Sequence, residues 1–233
     1  MINKFVRSMA HALDGVRDGA TILLGGFGAV GQADPLIDGL LELGVKRLTI
    51  VANNAGDGRT GLSRLLAAGR IERLICSYPR IAGAAVVAGS AIFDELYRAG
   101  RVELELTPQG TLAERLRAAG AGIPAFFTPA GVGTLLAANK EVRRIGDRDY
   151  VLEYALRGDV ALVDAWKADR WGNLVYRGTA RNFNPIMAAA ADLTVACTHN
   201  LAELGELDPE AIATPGIYVH RVFLRPEAAA HVC

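Results

Sequence analysis

The stretch ATILLGGFGAVGQADPLIDGLLELG, residues 20–44, sets the pattern for the whole chain. An apolar run from Ala20 breaks into glycines at Gly25 and Gly26. A helical period then begins at Asp34, read as its N-cap, with Pro35 at the first helical position and Gly44 as the stop. Strand, loop and helix recur in that order. RLTIVANNAG (47–56) leads to GLSRLLAAG (61–69), RLICSYPR (73–80) to FDELYRAG (93–100), and RVELELTPQG (101–110) to TLAERLRAAG (111–120). Strands alternating with helices of about ten residues predict βαβ units, hence an open α/β fold in three layers, α/β/α, around a largely parallel sheet.

From Tyr150 the texture changes. YVLEYALRGDVALVDAWKADRWGNLVYR (150–177) reads as strands joined by turns, with Trp171-Gly172-Asn173 a tight turn, so antiparallel strands in the C-terminal third are expected to extend the sheet. NFNPIMAAAA (182–191) is then a helix and GIYVHRVF (216–223) a final strand. No repeat, low-complexity linker or charge block marks a boundary, and residues 1–233 are read as one domain.

At 233 residues the chain can bury a sizeable core without disulfides or metals, and no metal is expected. Its 25 basic and 25 acidic residues cancel, so no global field draws in nucleic acid or an anionic membrane, and any anionic ligand must be held locally. The cysteines, Cys76, Cys197 and Cys233, are odd in number and form no C-x-x-C pair, which fits reduced thiols, with Cys76 and Cys197 buried in strands. The N-terminus lacks the apolar core of a signal peptide, and no run approaches the roughly 18 apolar residues of a membrane span. A cytoplasmic protein is expected.

Gly26, Gly28 and Gly31 fall on the G-x-G-x-x-G spacing of a dinucleotide-binding turn. That fingerprint needs its third glycine inside the opening turn of the helix and an acidic residue at the end of the second strand. Here Gln32 and Ala33 separate Gly31 from the helix, and the second strand ends in Asn53-Asn54. An NAD-dependent dehydrogenase therefore fits poorly. The loop suits a phosphate, a pyrophosphate or a developing oxyanion, or merely a tight passage from strand to helix.

Ligands of open α/β sheets bind outside the carboxyl ends of the strands. Four segments are predicted to meet there: Gly25 to Gly31, Asn53 to Gly56, Ser77 to Arg80, and Thr107 to Gly110. They carry amides, hydroxyls and one guanidinium but no carboxylate and no histidine; His11, His199, His220 and His231 lie elsewhere. Such a set binds and orients without a nucleophile and base of its own.

DGATILLGGFGAVG (18–31), LTIVANNAG (48–56), FDELYRAGRVELELTPQGTLAERLRAAGAGIPAFFTPAGVGT (93–134), DVALVDAWKADRWGNLVYR (159–177), ARNFNPIMAAAA (180–191) and ELGELDPEAIATPGIYVHR (203–221) together resemble the A (alpha) subunits of 3-oxoacid CoA-transferases. Within them, CSYPR (76–80) and NNAGDGRTGL (53–62) look closest to the 3-oxoadipate:succinyl-CoA branch, with the succinyl-CoA:acetoacetate branch its near rival. The resemblance implies a fold of the CoA-transferase and ribose-5-phosphate isomerase type. It further implies ping-pong transfer of CoA through a glutamyl-CoA thioester, with CoA as a substrate and no permanently bound cofactor. The nucleophilic glutamate is implied in a Glu-Asn-Gly motif of a B subunit, in a heterodimer or heterotetramer, and no Glu-Asn-Gly occurs here.

By the same resemblance Gly25, Gly26, Phe27, Gly28, Ala29, Val30 and Gly31 form a CoA-binding segment, Asn53 and Asn54 lie against the partner's glutamate, and Gln109 lines the acyl site with Tyr78. Arg80 is the candidate cation for the far carboxylate of a dicarboxylic substrate. The alternative is a non-catalytic CoA-ester-binding domain. Two departures from the family pattern stand out: Ala33 where the family has proline, and the apolar insert Ile81 to Ile92. The insert reads as an extended helix or covered loop, or as a wall of the acyl pocket or partner contact.

Overall fold

The computed structural model describes residues 2–56, 58, 60–80 and 87–226. Cys233, His231 and residues 81–86 of the apolar insert lie outside them. The chain begins with β1 (Phe5–Val6) and α1 (Met9–Ala12), then alternates β2 (Thr21–Leu24), α2 (Asp34–Leu43), β3 (Leu48–Val51), α3 (Leu62–Ala67), β4 (Ile71–Cys76), α4 (Val87–Arg98), β5 (Glu103–Leu106) and α5 (Gln109–Gly120). An excursion follows through β6 (Ala125–Thr128), β7 (Val142–Ile145) and β8 (Arg148–Tyr154). The chain closes with β9 (Gly158–Asp169), β10 (Leu174–Val175), α6 (Asn184–Ala189), β11 (Ala191–Ala202) and β12 (Arg221–Leu224).

Eight strands of a nine-stranded sheet run in the order β1-β12-β11-β9-β2-β3-β4-β5, every neighbouring pair parallel. Period-two alternation divides it into two faces. Ile22, Leu24, Leu48, Ile50, Leu74 and Cys76 pack with Leu36, Ile37 and Leu40 of α2, Leu62, Leu65 and Leu66 of α3, and Phe93 and Leu96 of α4. Leu23, Val51, Ile75, Ala161 and Val163 pack instead with Leu112 and Leu116 of α5 and Met187 and Ala188 of α6. Both faces are covered by helices, as a parallel sheet requires.

The chain leaves the centre of this sheet in two directions. From β2 it proceeds through β3 and β4 to β5; from β9, the other neighbour of β2, it proceeds through β11 to β12. The junction of β2 and β9 is therefore the topological switch point, where a crevice opens at the carboxyl ends of the strands.

Two sequence expectations need correction. Asp34 is the first helical residue of α2 rather than its cap: Ala33 occupies the cap, its carbonyl accepting from the amides of Leu36 and Ile37, and Pro35 follows at the second position. Gly44 does end the helix, at φ +78°. The strands after Tyr150 do not simply extend the sheet. β9 is central and parallel, and only the two-residue β10 pairs with it antiparallel, after a Trp171-Gly172-Asn173 turn held by the Asp169 carboxylate. Of the four charged residues of β9, Asp159, Asp164, Lys167 and Asp169, the aspartates Asp164 and Asp169 break the apolar run expected of a central strand. Both are buried, each satisfied by hydrogen bonds.

The remaining antiparallel strands form a separate sheet, β6-β8-β7. No residue from 121 to 150 is buried, and Leu135 is 92% exposed. The sheet is tied to the body at its root, where buried Arg115 of α5 donates to the Tyr154 carbonyl at 2.9 Å and to Glu105 of β5 at 2.5 Å. Among the described residues no helix is long and apolar enough to cross a membrane. From Val87 onward the apolar insert belongs to α4, in keeping with the extended-helix reading of that part.

Leu23 is fully buried over Gly158, where an added Cβ would fall 2.5 Å from its Cγ. Leu23→Ala should cost about 3 kcal/mol in urea denaturation and Gly158→Ala about 1–3 kcal/mol. Because the methyl added at position 158 enters the space that the isopropyl group of Leu23 vacates, the double variant should lose clearly less than the sum of the two.

Candidate active site

All four segments expected at the carboxyl edge are found there. β2, β3, β4 and β5 end side by side at Leu24, Val51, Cys76 and Leu106. Beyond them the loops bond to one another. The amides of Ser77 and Tyr78 donate to the Asn53 carbonyl at 3.2 and 3.0 Å, and the Gln109 side-chain amide donates to Asn53 Oδ1 at 2.8 Å. Asn53 and Asn54 are both buried. Asn54 Oδ1 accepts from the Gly56 amide at 2.8 Å, closing a local Asx turn. Both oxygens are engaged, and among the described residues the Nδ2 groups of Asn53 and Asn54 have no acceptor.

Arg80 stands apart. Its Nε donates to both oxygens of Asp94 on α4, at 2.8 and 3.0 Å, and its side chain is largely exposed. Tyr78 is half exposed beside it in sequence. The structure thus joins Gln109 to Asn53 by a direct bond, but gives Arg80 a partner on a helix.

The glycine loop leaves β2 at the switch point, the Gly25 amide donating across to the Leu162 carbonyl of β9 at 3.0 Å. Phe27 and Val30 then bond to each other through both amides, at 3.0 and 3.2 Å, making a tight turn with Gly28 and Ala29 at its tip. Gly28 takes φ +61°, open to glycine at little cost. The amides of Gly25, Gly26, Phe27 and Val30 are therefore used internally. Those of Gly28, Ala29 and Gly31 have no acceptor among the described residues. The loop is a narrower donor than its four glycines suggest, with its free N–H groups concentrated at the tip.

Sequence reasoning missed the groups that hold this loop. Asn182 Oδ1 accepts from the Gly26 amide at 3.1 Å while its Nδ2 donates to the Val30 carbonyl at 3.1 Å. Asn184, fully buried at the start of α6, donates to the Gly31 carbonyl at 3.0 Å and accepts from the Asp164 amide. Behind them the Asp164 carboxylate receives Arg225 at 2.8 Å and lies 3.4 Å from His199. Burial opposes the charge on Arg225, but Asp164 outweighs it and holds the guanidinium above its usual pKa. The motif ARNFNPIMAAAA carried the asparagines in plain view, yet nothing local marks them as partners of a loop some 150 residues earlier.

The half-exposed Phe27 and Val30 stand over a cleft. A space of about 350 Å³ lies between Phe27, Gln109 and Ala113 on one side and Phe183 and Ile186 on the other. A second, of about 530 Å³, lies beyond Phe27 against Val30, Thr179 and Asn182. Among the described residues no charged side chain lines either space, and no cluster of His, Cys, Asp or Glu is placed to hold a metal ion. The arrangement offers backbone and carboxamide donors beside an open, largely apolar cleft, a setting in which hydrogen bonds to developing negative charge strengthen once water is excluded.

The coenzyme A transferase family model matches residues 6–225. The chain belongs to that family. It is 56% identical over 230 residues to the A subunit of the 3-oxoadipate CoA-transferase of Pseudomonas putida, covering 99% of this chain and 97% of that one. It is 47% identical to the A subunit of the succinyl-CoA:3-ketoacid coenzyme A transferase of Helicobacter pylori, covering 95% of this chain and 92% of that one. Among solved structures, an acyl-CoA transferase from E. coli O157:H7, crystallised as a thioester complex with CoA, superposes with a TM-score of 0.82 at 19% identity. That match covers 98% of this chain and 48% of the E. coli chain, so this CoA-transferase chain spans about half its length. At that identity the likeness concerns the fold.

Cys76, on the strand leading into the Ser77 loop, and Cys197, beside the Arg225–Asp164 pair, are free and buried, and burial pushes each thiol up to about 12. At pH 8 neither supplies a thiolate nucleophile. Iodoacetamide at that pH should leave both unmodified in the folded chain and label both in urea, as read by peptide mass spectrometry.

Proposed function

We propose that this chain is the A subunit of a heteromeric CoA-transferase that moves CoA from succinyl-CoA to a 3-oxo acid, with 3-oxoadipate the preferred acceptor. The observation that carries this reading is a donor-rich crevice at the switch point without a nucleophile. The four segments Gly25 to Gly31, Asn53 to Gly56, Ser77 to Arg80 and Thr107 to Gly110 hold no carboxylate, and the nearby Asp164 is spoken for by Arg225 and His199. In the proposed assembly a glutamate of the B subunit supplies the missing group.

The chemistry follows from that division. The partner's carboxylate attacks the thioester carbonyl of succinyl-CoA, and the carbonyl electrons move onto oxygen. The amides of Gly28 and Ala29 and the carboxamides of Asn53 and Asn54 are the donors available for that oxyanion, one such contact being worth roughly 3 kcal/mol. Collapse expels CoA thiolate and leaves an acyl-glutamyl anhydride; the thiolate then attacks the glutamyl carbonyl, releasing succinate and forming glutamyl-CoA. The 3-oxo acid runs the sequence in reverse and departs as its CoA ester. With the partner seated over it, the apolar cleft under Phe27 would keep water from the anhydride, and contacts to the remote parts of CoA orient the thioester.

Neither chain should turn over substrate without the other. Succinyl-CoA consumption in the presence of 3-oxoadipate, followed for this chain with and without its partner, should appear only in the mixture; turnover by this chain alone would overturn the reading. Arg80 is the proposed cation for the distal carboxylate, exchanging Asp94 for the substrate. Arg80→Met should then raise KM for 3-oxoadipate at least tenfold, the loss of a charge-assisted pair of about 1.5 kcal/mol or more, and leave KM for acetoacetate nearly unchanged. Equal effects on the two acids would remove that role.

A further inference from the structure

The glycines of the loop have two different reasons to be glycine. Gly28 has open space around it, so its value lies in the positive φ of the exposed tip. Gly25 and Gly31 are crowded. A Cβ on Gly25 would fall 1.8 Å from Asn184 Oδ1, and one on Gly31 would fall 2.7 Å from the Ala180 carbonyl and 3.0 Å from Asn182 Nδ2. Half of the pattern therefore serves the asparagines that press against the loop from behind.

Asn182 spans the loop. Its Oδ1 accepts from the Gly26 amide at 3.1 Å and the Phe183 amide at 2.7 Å, and its Nδ2 donates to the carbonyls of Val30 at 3.1 Å and Thr179 at 2.8 Å. It thus grips both limbs of the turn, before and after the Gly28-Ala29 tip. With two acceptors and two donors engaged, it has little capacity left to bind a substrate. Asn184 secures the exit of the loop at Gly31 but is buried in the body, bonded also to Asp164 and Ala180. Of the two, only Asn182 hydrogen-bonds both limbs.

We infer that Asn182 is a positioning residue for CoA transfer: with its polar atoms spent on backbone groups, it clamps the Gly26–Val30 turn so that the Gly28 and Ala29 amides point at the thioester oxyanion. The inference rests on the proposed function for its chemistry, though not for the clamp. Donors aimed before the reaction cost no reorganisation when charge develops, and a displacement of about 1 Å can lower a rate about 100-fold. Only a carboxamide of this length offers both an acceptor to Gly26 and a donor to Val30. A carboxylate in its place would keep the first contact and turn an oxygen toward the second.

The test compares Asn182→Ala and the isosteric Asn182→Asp with the unaltered chain, each purified as the complex with its partner. Hydrogen exchange at backbone amides is read by mass spectrometry on the peptide spanning the loop and on peptides from β2 and β9, alongside steady-state kinetics for both substrates. In both variants the loop peptide should exchange at least tenfold faster with β2 and β9 unchanged. The value of kcat should fall about 100-fold while both KM values stay within threefold. Unchanged loop exchange, faster loop exchange with kcat within threefold, or equal acceleration in β2 and β9 would each overturn the inference. Should the unaltered complex fail to transfer CoA, the functional reading falls, and the exchange data still decide whether Asn182 holds the loop.

Discussion

Residue 25 has no room for a side chain. The Asn184 carboxamide occupies the space a Cβ would need, and from there it bonds the Gly31 carbonyl and the Asp164 amide. This interlock fastens the end of β2 to the start of α6 and to the middle of β9, which is to say across the switch point of the sheet. The position of the crevice, the direction in which the glycine loop leaves it and the side of the sheet on which α6 packs all depend on it. A buried carboxamide with every polar atom bonded is well suited to such a post, since it fixes three segments through directional contacts that apolar packing cannot supply.

The alternating half of the fold was legible because its signals are local. Thr21 to Leu24 and Leu48 to Val51 are short, nearly continuous buried runs of the kind a two-sided parallel sheet needs, Pro35 and Gly44 bracket α2, and the four edge loops follow from the strand ends. β9 was harder. Its Asp164 and Asp169 look like solvent-facing positions, and their burial is made tolerable by Arg225, 61 residues away, and by Asn173 across a turn. The outlying sheet was harder still. Phe126 and Phe127 are adjacent and both half-buried, so β6 carries no alternation from which a face could be read.

The site divides along the same line. Asn53, Asn54 and the glycine loop are recognisable by composition at strand ends. That Gln109 bonds Asn53, that Arg80 pairs with Asp94, and that four of the seven loop amides are consumed within the protein are facts of long-range geometry. The G-x-G-x-x-G spacing illustrates the ambiguity. It satisfied a motif while one of its members, Gly31, and the adjoining Gly25 answered to the volume of the Ala180 to Asn184 segment, which the motif does not mention.

The separation in sequence between the loop and its clamp also bears on the order of assembly. Gly26 and Asn182 are 156 residues apart, and Gly31 and Asn184 are 153 apart. A chain emerging from the ribosome at roughly 5–20 residues per second can pair β2 with β3 many seconds before the asparagines exist. A strand that finds its first neighbour, β3, early is thus attached to a loop whose clamp is made late. The donor tip is withheld until three quarters of the protein has been made.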